Sequence, residues 1–232
     1  MKKKAGLFAA AALGLALSTS VSATLIDRGN GMIYDSDQDI TRLQDANYAM
    51  TSGYDTDGRM NWDAATTWAD GLSFGGFDDW RLASITDTGT SGCDWSNTGT
   101  DCGYNVDTSG SELAYMWYNI LGNISYFDTN GNGPQSGWDL TSTSADGVDI
   151  LNLQSYFYWS GTEYAPYTNN AWYISTYLGY QNTSSKNDEF LAWAVRSGDV
   201  GGGNQGGTVP EPGTLLLLGV GLAGIAARRR RC

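Results

Sequence analysis

Histidine is absent from all 232 residues. With it go Ser-His-Asp triads, histidine general bases and histidine-ligated zinc or haem. Cysteine is scarce: Cys93, Cys102 and Cys232 are too few for a metal site built on soft ligands. Positive charge is scarce too. Seven of the 13 Lys and Arg residues lie in two terminal blocks, Lys2 to Lys4 and Arg228 to Arg231. The rest of the chain holds Arg28, Arg42, Arg59, Arg81, Lys186 and Arg196 against 25 acids, a net of about −19. A surface so acidic repels nucleic acid and anionic polymers and tolerates cations. No apolar run reaches the ~20 residues of a full bilayer span.

What is present at the two ends concerns targeting. Lys2-Lys3-Lys4, the apolar run Ala5 to Leu17 and the small residues Val21-Ser22-Ala23 read as a secretory signal over residues 1–23, cut by signal peptidase. An uncleaved N-terminal anchor is the alternative. At the other end, Val209-Pro210-Glu211-Pro212 is rigid, because proline fixes φ. Residues 213–227 are uncharged and mostly apolar, and Arg228, Arg229, Arg230 and Arg231 follow. Fifteen helical residues extend only about 22 Å. That makes a short transmembrane helix whose arginines stay cytoplasmic. Box, helix and arginine cluster in this order resemble the PEP-CTERM sorting signal of Gram-negative bacteria. The resemblance implies an exosortase as partner, transient membrane anchoring by the helix, and delivery to the cell surface or beyond. A plain C-terminal anchor is the competing reading.

About 175 residues remain between the ends, enough for a full core. Leu25 to Arg28 and Met32 to Tyr34 flank Gly29-Asn30-Gly31, which predicts a hairpin. Asp35-Ser36-Asp37-Gln38-Asp39 reads as a solvated acidic turn, and Ile40 to Gln44 as a further strand. Asn61 is a candidate N-cap for a helix to about Leu72 with Trp62, Ala65, Trp68 and Ala69 on one face. Gly75-Gly76 turns the chain into Trp80-Arg81-Leu82. Ser109-x-x-Glu112 predicts a capping box for a helix to Leu121. Asn123 to Ile150 is a long polar loop. Tyr156–Ser160, Ala171–Tyr177, Tyr180–Thr183 and Phe190–Arg196 predict strands. Ser197 to Thr208 contains six glycines and serves as a linker, with its most glycine-rich part at 201–208.

The candidate chemistry is thin. Asp128, Asn130, Asn132 and Asp139 stand at calcium-loop positions 1, 3, 5 and 12, with Gly133 at position 6. Only two of the four are carboxylates, and an ordinary turn-rich loop explains the stretch better. No other cofactor is expected. Asn187-Asp188 is a weaker calcium candidate. Glu112, Glu163 and Glu189 are candidate glycosidase carboxylates, but nothing in the sequence spaces a pair. Trp159, Trp172 and nearby tyrosines could stack on sugars, although most such rings belong to cores. Cys93 and Cys102, nine residues apart in an exported chain, predict a disulfide.

Trp62-x-x-Ala65, Gly76-Phe-Asp-Asp-Trp80-Arg81-Leu82, Tyr158-Trp159-Ser160-Gly161-Thr162, Ala171-Trp172 and Ala194-Val195-Arg196 together resemble the Lcl C-terminal domain family. The resemblance covers most of residues 25–200. It implies an α+β, C-type-lectin-like domain over 24–200: two helices packed on small antiparallel sheets, with a long irregular loop region. Ala83 stands where that family usually has proline, and the calcium lectins' Glu-Pro-Asn sugar triplet is missing. Two functions follow as expectations. One is a non-catalytic surface or matrix protein that binds glycan, exopolysaccharide or protein. The other is a carboxylate-based polysaccharide-active enzyme. Trp80 and Arg81 are expected to be a structural hub, with Arg81 held by a carboxylate in a bidentate fork.

Overall fold

The computed structural model describes residues 24–88 and 97–201. The expected signal segment, Cys93, the 202–208 stretch and the sorting tail lie outside these residues. Strands β1 (Leu25–Gly29) and β2 (Met32–Asp35) form the expected hairpin, and Gly29, Asn30 and Gly31 take positive φ at its turn. β3 (Ile40–Leu43) returns antiparallel along β2. A single helical turn, α1 (Tyr48–Thr51), and the short β4 (Arg59–Met60) lead to α2 (Trp62–Asp70). α2 begins as the sequence predicts. The Asn61 side chain accepts from the Ala64 N–H, and Asp63 sits at the positive end of the helix dipole. Ala65, Trp68 and Ala69 are buried, and Gly71 ends the helix. β5 (Arg81–Leu82) and β6 (Gly103–Tyr104) follow.

The next helix departs from expectation. Ser109 is not its cap: residues Thr108–Gly110 form a 3₁₀ turn in which Ser109 bonds to Asp107. The cap is Ser111, whose Oγ accepts from the Ala114 N–H. α3 (Glu112–Ala114) runs directly into a π-helical stretch, Tyr115–Ile120. The looser winding still buries Leu113, Met116, Trp117 and Leu121. Gly122 closes the segment with φ +66°.

Within the long loop, β7 (Ser144–Ala145) and β8 (Val148–Asp149) make a small hairpin. β9 (Phe157–Glu163), β10 (Asn170–Ser175) and β11 (Tyr180–Ser185) form an antiparallel meander. The predicted last strand divides in two, β12 (Phe190–Leu191) and β13 (Ala194–Ser197). The division has a topological reason. β12 lies between β4 and β9 in a six-stranded sheet, β4-β12-β9-β10-β11-β6. β13 lies between β3 and β5 in a five-stranded sheet, β1-β2-β3-β13-β5. The apolar run Phe190 to Val195 is buried throughout, as suits a segment covered on both faces. Trp193 stands at the crossing, and its Nε1 donates to Leu43 O at 2.7 Å.

The described chain is therefore mostly β-sheet with few helices. One main core joins the sheets, α2 and α3, and a small satellite cluster gathers Ile85, Cys102, Tyr164 and Trp172. Gly179 shows how tight the main core is. Its φ is +70°, and an added Cβ would lie 2.4 Å from the Trp117 ring. Ser197 to Asp199 are held by the domain: Ser197 ends β13, Gly198 N–H donates to Asp39 O, and Asp199 accepts two hydrogen bonds from Arg28. Among the described residues no helix is long and apolar enough to cross a membrane. The apolar run 213–227 lies outside them.

Candidate functional site

Trp80 is 2% exposed, and its indole N–H donates to Phe74 O at 3.2 Å. The two-glycine turn and the strand alternation put Trp80 and Leu82 inside and leave Arg81 half-exposed. Arg81 finds the carboxylate its setting calls for, that of Glu112. Nη1 meets Oε2 at 2.7 Å and Nη2 meets Oε1 at 2.8 Å, a bidentate fork between β5 and α3. The Ser84 N–H donates to Glu112 Oε2 at 2.7 Å. Glu112 is thus no capping-box residue; it is Arg81's partner. Burial raises its pKa, but the Arg81 hydrogen bond and the Ser84 N–H outweigh burial and hold it below the usual glutamate range.

Denaturant unfolding measures this hub. Trp80→Ala is expected to cost about 3–5 kcal/mol, as a buried ring should. Arg81→Ala should cost less, about 1.5–3 kcal/mol, because the fork is charge-assisted but one-third open to water. Glu112 has a depressed folded pKa, so its contribution is present above the unfolded value and lost as pH falls through the folded one. Arg81→Ala should therefore flatten the acid limb of the stability curve. Two variants within about 0.5 kcal/mol of the parent would place the hub elsewhere.

Beside the fork opens a polar cleft of about 390 Å³, lined by Asp37, Gln38, Ser84, Thr86, Ser109 and Glu112 among others. Its glutamate is ionised and engaged by three hydrogen bonds, so it has no proton to donate near neutral pH. Glu163 faces Lys186 in an ion pair and is not brought to Glu112 by any contact. Asp35, expected in a solvated turn, is instead fully buried, with Oδ2 3.8 Å from Nη2 of the fully buried Arg42.

Three of the predicted calcium positions, Asp128, Asn130 and Asn132, are bonded to one another, and Asp139 has partners of its own. Asp128 Oδ1 accepts from the Asn130 and Asn132 backbone N–H groups, and Oδ2 from the Asn132 side chain. Asp139 Oδ1 accepts instead from the Leu140 N–H and from Ser155 Oγ. Asp188 accepts from Ser184 Oγ. Among the described residues no three His, Cys, Asp or Glu side chains group as metal ligands would.

Both tryptophans weighed as stacking platforms are covered. Trp159 is fully buried, with its Nε1 bonded to Met60 O. Trp172 is 2% exposed but lines a second cleft, of about 220 Å³. Tyr164, Tyr167, Asn170, Asn182 and Thr183 share that lining with it and Cys102. Tyr164 stands edge-on to Trp172, centroids 5.5 Å apart, and tilted 39° against Tyr167. Tyr167 is the most exposed large apolar side chain described, at 61%. The β9–β10 connection sets it there through Tyr167 N–H to Tyr164 O and Asn170 N–H to Tyr167 O. The usable sequence signal was the tight Tyr-Ala-Pro-Tyr-x-Asn-Asn turn between two strands.

Charge completes the surface. All six cations between residues 24 and 201 lie within 4 Å of a carboxylate: Arg28 at Asp199, Arg42 at Asp35, Arg59 at Asp57, Arg81 at Glu112, Lys186 at Glu163 and Arg196 at Asp79. Four of them also lie against exposed or half-buried rings, Arg28 on Tyr34, Arg59 on Tyr156, Lys186 on Trp62 and Arg196 on Phe77. Among the described residues no cation stands apart from a carboxylate.

Whatever this domain does, its destination is written after it. The family model of the PEP-CTERM protein-sorting motif matches residues 208–231. The chain ends in a PEP-CTERM motif. That motif spans Val209-Pro210-Glu211-Pro212, the apolar run and Arg228 to Arg231, and marks an exported protein handled by an exosortase. No curated protein and no solved structure matches the chain. The PEP-CTERM assignment thus concerns the tail, and the lectin-like expectation for the domain before it rests on sequence resemblance.

Proposed function

We propose that the chain is an exosortase-processed surface or matrix protein whose 24–200 domain is a non-catalytic, lectin-like binding module for uncharged glycan. The observation that carries the reading is the pairing of every domain cation with a carboxylate on a strongly acidic chain. Such a surface disfavours acidic polysaccharide and leaves hydrogen bonding and ring stacking as the means of recognition. The engaged Glu112 supports a binding role over the glycosidase alternative. A metal-free site is supported by the loop acids Asp128 and Asp139, which bond within their own surroundings. In the same reading Cys93 and Cys102 form the disulfide. Cys102 is buried and disulfide-bonded rather than a free thiol, and the unreduced exported protein should be two hydrogens lighter by mass than the reduced one.

The test is a glycan array probed with the processed protein recovered from the cell surface, with calcium and with chelator. Saturable binding to neutral glycans in both conditions is expected. Binding confined to uronic-acid glycans would sink the charge argument. Loss of binding on chelation would restore the calcium loop, and release of reducing ends would favour the enzyme.

A further inference from the structure

We infer that the Tyr167 cleft is the binding site and that it takes one uncharged sugar ring, held by stacking and by amide and indole hydrogen bonds. This rests on the glycan-binding reading above and locates it. Three independent features converge here. The first is size: about 220 Å³ is below the ~300–1,000 Å³ of clefts that hold drug-sized ligands, and suits a single ring or chain end. The second is lining chemistry. Among the described residues those lining the cleft are uncharged, whereas the larger cleft beside Arg81 contains Asp37 and Glu112. Tyrosine rings meet the C–H faces of a sugar, and Asn170, Asn182 and Thr183 offer donors and acceptors to its hydroxyls. The third is an unanswered donor. Trp172 Nε1 is buried and has no acceptor among the described residues, although indole N–H groups that are buried normally find one. Trp172 itself lines the cleft, and a ring hydroxyl that reached its N–H would supply that acceptor.

The rigidity of the site favours recognition. Trp172 lies opposite Thr183 in the β10–β11 ladder, and Tyr164 is fixed by its N–H to Asn170 O. Tyr167 alone projects, so the site is a firm floor with one exposed ring as its wall. Binding then immobilises little protein, which keeps the entropic cost low.

Calorimetry on the processed protein tests this, with neutral oligosaccharides of glucose, galactose and mannose as probes and uronic-acid oligosaccharides as the charged control. Tyr167 is mostly exposed, so Tyr167→Ala should fold like the parent. It should weaken neutral-sugar binding by about threefold to tenfold. Asn170→Ala should weaken it as well. In NMR spectra one indole N–H resonance, absent in Trp172→Phe, should move as the sugar saturates. Unchanged affinity in Tyr167→Ala with no moving indole signal overturns the site while leaving glycan binding intact. Equal affinity for the uronic acids overturns the selectivity for uncharged rings. A parent protein that binds none of the probes overturns both the site and the glycan reading.

Discussion

Arg42→Ala is expected to destabilise the domain by about 3–5 kcal/mol, since it strands a buried charge. Arg42 sits on β3, inside the five-stranded sheet, between Ile33 of β2 and Val195 of β13. Its side chain is fully buried. One nitrogen does most of the bonding: Nη2 donates to Gln38 Oε1 at 2.6 Å and to Glu112 O at 2.7 Å. The guanidinium also faces the Trp193 ring at 5.5 Å. Burial lowers its pKa to about 10, with the Asp35 and Glu112 charges opposing, so it stays positive at neutral pH. Asp35 is its counterion. Burial raises the Asp35 pKa, and Arg42 with the Gln38 and Asp37 N–H groups pulls it back only in part. Without Arg42 only those two N–H groups are left to offset that burial. A carboxyl with a raised folded pKa favours the folded state at low pH and loses that advantage as pH rises through the folded value. Arg42→Ala should therefore be least unstable in mild acid, opposite in sign to the Glu112 effect. Asp35→Asn added to Arg42→Ala should recover a substantial part of the loss, giving a double-mutant coupling that distant sites lack. Chemical unfolding across pH reads all of this. A single variant within about 0.5 kcal/mol of the parent would mean that the pair is not structural.

The second large effect concerns the tail. The mature protein is expected to lack both Lys2 to Lys4 and Arg228 to Arg231. As a helix the fifteen residues 213–227 would extend about 22 Å, short for a ~30 Å bilayer core, so retention in a membrane is expected to depend on the flanking arginines. Replacing Arg228 to Arg231 by glutamines should weaken both orientation and retention. Replacing Pro210 and Pro212 by alanine removes the two prolines whose fixed φ marks the motif. Each change should turn a fully processed surface form into unprocessed protein, read by intact mass and by fractionation. Recovery of surface protein still ending in Cys232 would reduce the tail to a plain membrane anchor.

Local signals were legible and distant ones were not. The Gly29–Gly31 turn, the Asn61 cap and the Gly122 stop act within a few residues of themselves, and all three stand where the sequence puts them. The Arg81 fork was legible in part. Its strand setting called for a carboxylate, but Glu112 is 31 residues away and local pattern could not single it out. The same distance explains the Ser109 error. A Ser-x-x-Glu spacing predicts a capping box only when the glutamate is free to fold back, and here Arg81 and Ser84 claim it. Asp35 in a run of acids looked solvated because its neighbours are; the arginine that buries it also bonds a carbonyl 70 positions away. The Tyr167 cleft is assembled from the β9–β10 turn and β11. Its aromatics were visible in the sequence, but which rings would be covered was a matter of sheet order.

The crossing at Ala192–Trp193 sets a timetable for export. A chain that leaves the cytoplasm N-terminus first delivers Phe190 to Ser197 last among its strands. Until then the five-stranded sheet lacks the member between β3 and β5, and the six-stranded sheet lacks the one between β4 and β9. Neither sheet can close while residue 197 is still in transit. The sorting tail begins only about ten residues later, at 208. The strand that completes both sheets thus lies only about ten residues ahead of the sorting motif, so closing the fold has to wait for the part of the domain that is exported just before it.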